Sequence, residues 1–330
     1  MNLILSQITS PPVPRSGAGI MPEADSFGEG LLALINNAMG LLHPDLREAA
    51  GICLSLIGLV MLVSLVGLIP GAKLKTAEFV GTVGIGTILL QSTNSMIRLG
   101  SYTIEELSGY GKLLLPVMTS ALAAQGGVTA STTLYAGTAL FDSILTSLLT
   151  RLGNPLVYIF LLLSIANAAL GEDLLKKMAD FVKWLAVWIL KTILYIFTGY
   201  MGITGVISGT TDAAALKAAK LTISGVVPVV GGILSDASEA VLVSAGMVRN
   251  AAGIYGILAI MAVFLTPFLR IGCHYLLLRL TGALCAVFGV KQCSELISRF
   301  SAAMGLELAM TGSVCLLQLI STVCFLRGVG

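Results

Sequence analysis

Charge and histidine are scarce in this 330-residue sequence. Asp, Glu, Lys and Arg make up only 11% of it, against about 25% in soluble domains. The 19 basic and 17 acidic residues leave a net charge of +2, too small to draw nucleic acid. The two histidines, His43 and His274, exclude a histidine-rich metal site. No GxxxxGKS/T phosphate loop and no HExxH pair occurs, and no nucleophile elbow supports Ser/His/Asp hydrolysis. The chain is therefore expected to be no enzyme, to hold no metal and to use no cofactor. An ATP-driven pump would need its nucleotide site on another chain. The six cysteines, Cys53, Cys273, Cys285, Cys293, Cys315 and Cys324, form no CxxC pair. They read as small buried thiols rather than disulfides or metal ligands.

What is abundant is apolar surface: 56% of residues are hydrophobic and the mean hydropathy is +0.95. Windows long enough to span a bilayer, which takes roughly 20 apolar residues, are Ala49–Ala72, Phe79–Ile97, Leu113–Phe141, Leu152–Gly171, Asn250–Leu269 and Leu308–Leu326. Trp184–Ile207 qualifies despite Lys191, and Ile271–Val290 only by including His274 and Arg279. The expected fold is all-α, a polytopic helical membrane protein with about seven or eight transmembrane helices.

Residues 1–48 are expected to form an acidic, partly disordered N-terminal segment. Glu23, Asp25, Glu29, Asp45 and Glu48 outnumber Arg15 and Arg47, and Pro11, Pro12 and Pro14 interrupt the entry. Met1–Thr9 has no basic start and only a short apolar run, so it makes a poor signal peptide. Residues 49–330 are expected to be a single helical membrane domain. Pro70-Gly71 stops its first span, and Lys73 and Lys75 put the following loop on the cytoplasmic side. Gly81, Gly84 and Gly86 let the next helix approach its neighbours closely, as in the middle of a bundle.

Two segments break the hydropathy pattern. Leu113–Val117 carries Pro116 and runs into Gln125-Gly126-Gly127; Val226–Val229 carries Pro228 and runs through Gly231-Gly232 to Ser235-Asp236. The two prolines lie 112 positions apart, as do Leu122 and Leu234. Each segment precedes a span, an amphipathic stretch and a further span, which suggests repeat halves at about residues 113–207 and 225–327. Shared membrane composition gives a competing account of that likeness. The amphipathic stretches are Glu172–Lys183, with Leu174, Leu175, Met178, Phe181 and Val182 opposite Asp173, Lys176, Lys177 and Asp180, and Lys291–Ser301. In the second, Cys293, Leu296, Ile297 and Phe300 oppose Lys291, Glu295 and Arg299. Both are expected to lie in the membrane interface.

Irregular backbone and ionisable groups survive at membrane depth only against protein or a wet cavity. Paired Gly/Pro-broken segments are also the sequence pointer to a transport site. The candidate pore-lining or subunit-contact residues are therefore Pro116, Gln125, Gly126, Gly127, Pro228, Gly231, Gly232, Asp236, Glu239, Arg249 and Asn250. Asp236 and Glu239 share a face if that stretch is helical, although an exposed turn explains them equally well. Arg249 at a span's start reads more simply as a snorkelling cation. Asp142, Lys191 and Arg279 fall within spans and need partners, so pairing of Asp142 with Lys191 or Arg279 is expected. Whether the broken segments are re-entrant hairpins or full crossings stays open at this point.

The run Ser224-Gly-Val-Val-Pro-Val-Val-Gly-Gly-Ile-Leu-Ser-Asp236, with Val248-Arg-Asn-Ala-Ala-Gly-Ile-Tyr-Gly256, resembles the stage III sporulation protein AE family. Leu114-Leu-Pro-Val-Met and Gln125-Gly-Gly-Val-Thr129 are similar to that family's earlier broken segment. The resemblance covers about residues 45–327. The N-terminus departs from it, being shorter and poorer in signal character than the family's usual start. The resemblance implies a multi-pass protein of the mother cell, in the outer membrane around the forespore. It also implies an oligomeric complex with the other stage III sporulation A-operon proteins and, through them, a forespore channel partner. The expected role is a non-enzymatic subunit of that intercellular channel or secretion apparatus, forming its pore or export gate. An ion-coupled secondary transporter and a scaffold that docks other subunits are the alternatives.

Overall fold

The computed structural model describes residues 27–67, 69, 74–124, 128–203 and 251–327. These residues form seven α-helices and one π-helical turn, with no strand among them. The helices are α1 (Phe27–Gly67), α2 (Leu74–Ala124), α3 (Val128–Leu148), α4 (Asn154–Leu170), α5 (Asp173–Ile203), α6 (Ala251–Ala286) and α7 (Lys291–Arg327). The π turn, Leu149–Gly153, joins α3 to α4. At 1.5 Å per residue, the 51 residues of α2 reach about 77 Å, well beyond a hydrocarbon core of about 30 Å.

Several expected boundaries move. The lead-in to residue 48 is helical from Phe27 onward and belongs to α1. Pro116 does not break the chain: it lies exposed inside α2, which continues to Ala124. Its missing N–H costs one backbone bond, while the Thr119 hydroxyl donates to the Leu115 carbonyl at 2.7 Å in the next turn. The windows 250–269 and 271–290 are one helix, α6, with Pro267 inside it. The two amphipathic stretches are not separate helices but the opening turns of α5 and α7.

Among the described residues, five stretches are long and apolar enough to cross a membrane: Gly28–Gly67, Leu134–Leu170, Asp173–Tyr200, Tyr255–Ala286 and Lys291–Phe325. Helix α2, which carries Gln91, Asn94, Arg98, Glu105, Glu106 and Lys112, is not among them. Burial separates these spans from one another. Helices α6 and α7 are mostly buried, whereas Leu54, Met61, Leu62, Phe181, Trp184 and Trp188 present apolar surface outward. A coat of that size fits lipid better than water.

Side-chain contacts give the directions. Helix α1 runs with α6, since Asp45 meets Arg270 Nε at 2.7 Å and the Ser64 hydroxyl donates to the Phe288 carbonyl at 2.9 Å. Helix α3 runs against α2, and α2 runs with α7. Two hairpins, α4–α5 and α6–α7, each turn at a left-handed glycine, Gly171 (φ 71°) and Gly289 (φ 78°). Both turns lie at one end of the bundle, where Gly81 packs on Val63 and Cys293. At the other end Gly256 meets Leu114 and Thr322, and Gly137 meets Tyr200. The chain thus enters and leaves residues 125–127 and 204–250 from that same second end.

Charge closes the first end. Lys176 Nζ lies 3.0 Å from Glu295, and Arg299 lies 3.2 Å from Asp180 and 3.3 Å from Glu295. The polar face of α5's opening thus packs on α7, while Leu174, Met178 and Phe181 face outward. This reverses the arrangement of a soluble amphipathic helix and fits lipid outside. All six cysteines are free, and only Cys273 is more than slightly exposed.

The Asp45–Arg270 pair clamps α1 to α6 between Pro44 and Pro267. Asp45→Ala is expected to destabilise the detergent-solubilised protein by roughly 1–2 kcal/mol, read as earlier loss of helical signal on heating. Adding Arg270→Met should recover part of that loss, because the stranded charge goes with it.

Candidate functional site

Helix α7 is the helix around which the others gather, packing against α2, α3, α4, α5 and α6. One of its faces is polar although buried. Glu307, Thr311, Gln318 and Thr322 lie at spacings of 4, 11 and 15 residues from Glu307, which is one stripe at 3.6 residues per turn. All four are at most 3% exposed. Helix α2 faces this stripe with Gly100 and Gly111, also 11 apart.

The matched spacing makes two close approaches. A Cβ on Gly100 would stand 2.7 Å from Glu307 Oε2, and one on Gly111 would overlap the Gln318 amide. Only glycine lets the α2 backbone come this near.

Gln318 then reaches a carboxylate. Its Nε2 donates to Asp142 Oδ1 at 2.7 Å, and the Ser108 hydroxyl donates to Asp142 Oδ2 at 2.6 Å. Asp142 is 1% exposed. Three helices, α2, α3 and α7, therefore meet at one acidic side chain. Two further bonds continue the line along α2: Asn154 Nδ2 donates to Ser101 Oγ at 2.7 Å, and Tyr158 Oη donates to Asn94 Oδ1 at 2.5 Å. Positions 94, 101 and 108 fall every seven residues, with burial increasing from the first to the last. The π turn lies between Asp142 and Asn154 and brings both onto the α2 side.

Other polar atoms in this seam have no hydrogen-bond partner among the described residues. They include Tyr110 Oη, Thr138 Oγ1, Thr146 Oγ1, Ser321 Oγ and both carboxyl oxygens of Glu307. Thr138, Asp142 and Thr146 are successive i, i+4 positions on one face of α3. Such concentration is unusual, since buried polar groups are normally paired. The arrangement offers carboxyls, hydroxyls and amides in a row inside an apolar bundle. Among the described residues, no group of three or more His, Cys, Asp or Glu side chains could hold a metal ion.

The sequence-selected residues distribute unevenly over this geometry. Gln125, Gly126, Gly127, Pro228, Gly231, Gly232, Asp236, Glu239, Arg249 and Asn250 lie outside the described residues. Pro116 stands exposed on α2. Asp142 is at the centre of the seam, but its expected pairing with Lys191 or Arg279 is not found. Its partners are the neutral Ser108 and Gln318, which satisfy both oxygens without a second buried charge. Lys191 is half-buried on α5, and Arg279 is exposed on α6, where it donates to the Tyr275 hydroxyl.

Sequence reading missed Glu307, because the charge-free window begins at Leu308, and passed over Gln318 inside that window, because it is neutral. The spacing of Glu307, Thr311, Gln318 and Thr322 was the available signal.

Gly111→Val is expected to separate α2 from α7 and cost about 1–3 kcal/mol. Asp142→Ala should cost more, about 3–5 kcal/mol, since it strands two buried donors and leaves a cavity. Asp142→Asn keeps an acceptor for Ser108 and should be milder. Thermal unfolding of the three purified variants ranks them.

The sequence profile of the family described as stage III sporulation protein AE matches residues 31–327. A curated relative of that name from Bacillus subtilis (strain 168) is 22% identical over 215 residues, which is 64% of this chain and 54% of the relative. The chain thus spans about half the length of the curated relative it matches. No solved structure matches the chain.

Proposed function

This chain belongs to the stage III sporulation protein AE family, and from that premise we propose that it is a non-enzymatic membrane subunit of the channel or secretion apparatus between mother cell and forespore. It sits in the mother-cell-derived outer membrane around the forespore, within an oligomer of the other stage III sporulation A-operon proteins and, through them, a forespore partner. Its part is to form the transmembrane path or its gate. The observation that carries this reading is the polar seam between α2, α3 and α7, built around Asp142 inside a bundle whose outer surface is apolar. A scaffold that only docked partners would have no need of a buried acid, since an apolar core packs as well without one.

The placement of the helix ends supports the same reading. Residues 125–127 and 204–250, which hold most of the candidate pore-lining residues, join the bundle at the end nearer Asp142. The buried acids Asp142 and Glu307 also favour a second reading, an independent ion-coupled transporter, which would move solute in liposomes without any partner.

Deletion of the gene is expected to arrest development after engulfment, with spore yield falling by orders of magnitude. Asp236→Ala with Glu239→Ala should lower the yield while the protein stays in the membrane. A deletion strain that sporulates normally would sink the proposal. Flux by the purified chain alone, coupled to a proton or Na⁺ gradient, would replace it with the transporter reading.

A further inference from the structure

Glu307 is the most anomalous group among the described residues. It lies in the middle of α7 with no measurable exposure, and neither carboxyl oxygen has a hydrogen-bond partner among the described residues. Its Oε2 points at the backbone of Gly100, where no α2 side chain intervenes.

No cation among the described residues pairs with it. From α2 come Gly100, Thr103 and the exposed Arg98. From the π turn and α4 come Gly153, whose neighbour is Met310, then Asn154 bonded to Ser101 and Tyr158 bonded to Asn94. From α6 comes Tyr275, which packs on Gly305 and accepts from Arg279. On α7 itself, Thr311 donates to the Glu307 and Leu308 carbonyls, and Arg299 is held by Asp180 and Glu295. Asp142 is three turns away along the seam, about 16 Å by helix rise.

An ionised carboxylate taken out of water costs several kcal/mol unless a cation or several donors replace the lost hydration. None of these neighbours does so. We propose that Glu307 is a proton-exchange site: its carboxyl is neutral while α2 and α7 are closed against each other, and it releases the proton to water when the seam opens. The O–H bond breaks, water takes the proton, and the carboxylate left behind is stabilised by hydration. Reclosing requires the proton back. The state of the seam is thereby coupled to protonation, which makes opening of this subunit sensitive to the proton gradient across its membrane.

The inference deepens the channel reading and rests on it for its physiological meaning, but its chemical half is measured separately. Infrared spectra of the purified full-length chain in liposomes at neutral pH are expected to contain a protonated-carboxyl C=O band that Glu307→Gln abolishes and Asp142→Asn leaves. Absence of such a band, or its survival in Glu307→Gln, overturns the proposal.

In cells, Glu307→Gln, fixed in the neutral form, should reach wild-type levels in the membrane yet lower spore yield at least tenfold. Where deletion lowers the yield, wild-type yield from that variant would mean that the acid never needs to lose its proton, and would also overturn the proposal. If the variant fails to accumulate, dicyclohexylcarbodiimide treatment of the wild-type chain decides, because that reagent attacks protonated carboxyls in apolar surroundings. Modification mapped to Glu307 supports the site, and none opposes it. Normal spores from the deletion strain would strike the channel reading alone.

Discussion

The structure depends most on the close approach of α2 to α7. It is set by two glycines at an eleven-residue spacing, opposite two polar side chains at the same spacing. Eleven residues make three turns, so both contacts fall on one line of each helix. With Gly100 and Gly111 in place, α7 lies deep enough for α3, α4, α5 and α6 to pack around it. Gln318 can then reach past α2 to Asp142. In lipid, where apolar side chains gain little by meeting each other, this backbone proximity and the hydrogen bonds it permits supply much of the association energy.

Polarity is distributed accordingly. Charged pairs hold the end where both hairpins turn, with Lys176, Asp180, Glu295 and Arg299 joining α5 to α7. Midway, Asp45 and Arg270 join α1 to α6 beside two prolines. Toward the other end the polar groups are neutral donors around one acid. Lys176, Asp180 and Glu295 keep contact with solvent, where ion pairs contribute little each, so the first end, with Arg299 buried between α5 and α7, is a register mark rather than the main source of stability. The buried Asp142 cluster is different, because every partner removed there leaves another group unpaired.

Much of this was legible in the sequence, and the misses have physical causes. Hydropathy alone revealed the helical membrane character, and the charge patterns of residues 173–180 and 291–299 revealed two amphipathic faces. Those faces meet each other instead of lying in an interface, since complementary charges four residues apart on two parallel helices satisfy one another. Pro116 suggested a break, yet it sits within a helix whose packing outweighs the loss of one backbone bond, as Pro267 does in α6. Asp142 was recognisable as an anomaly, but its partners were not. A search for opposite charge overlooks Ser108 and Gln318, which satisfy a buried carboxylate more cheaply than a second ion does. Glu307 escaped because a window drawn to avoid charge excludes the very residue that matters.

The same geometry bears on how such a bundle could open. Separating α2 from α7 exposes Gly100, Gly111 and the stripe from Glu307 to Thr322 together, since all lie on one line. Apolar helices separated in this way would gain no hydration, whereas this pair would expose two acids, an amide and several hydroxyls to water. Hydration of those groups offsets part of the lost packing. Of the two buried acids, Asp142 is compensated in the closed state by its two donors, and Glu307 is not. On opening, a seam so built exchanges packing for hydration, as the apolar contacts of α7 cannot.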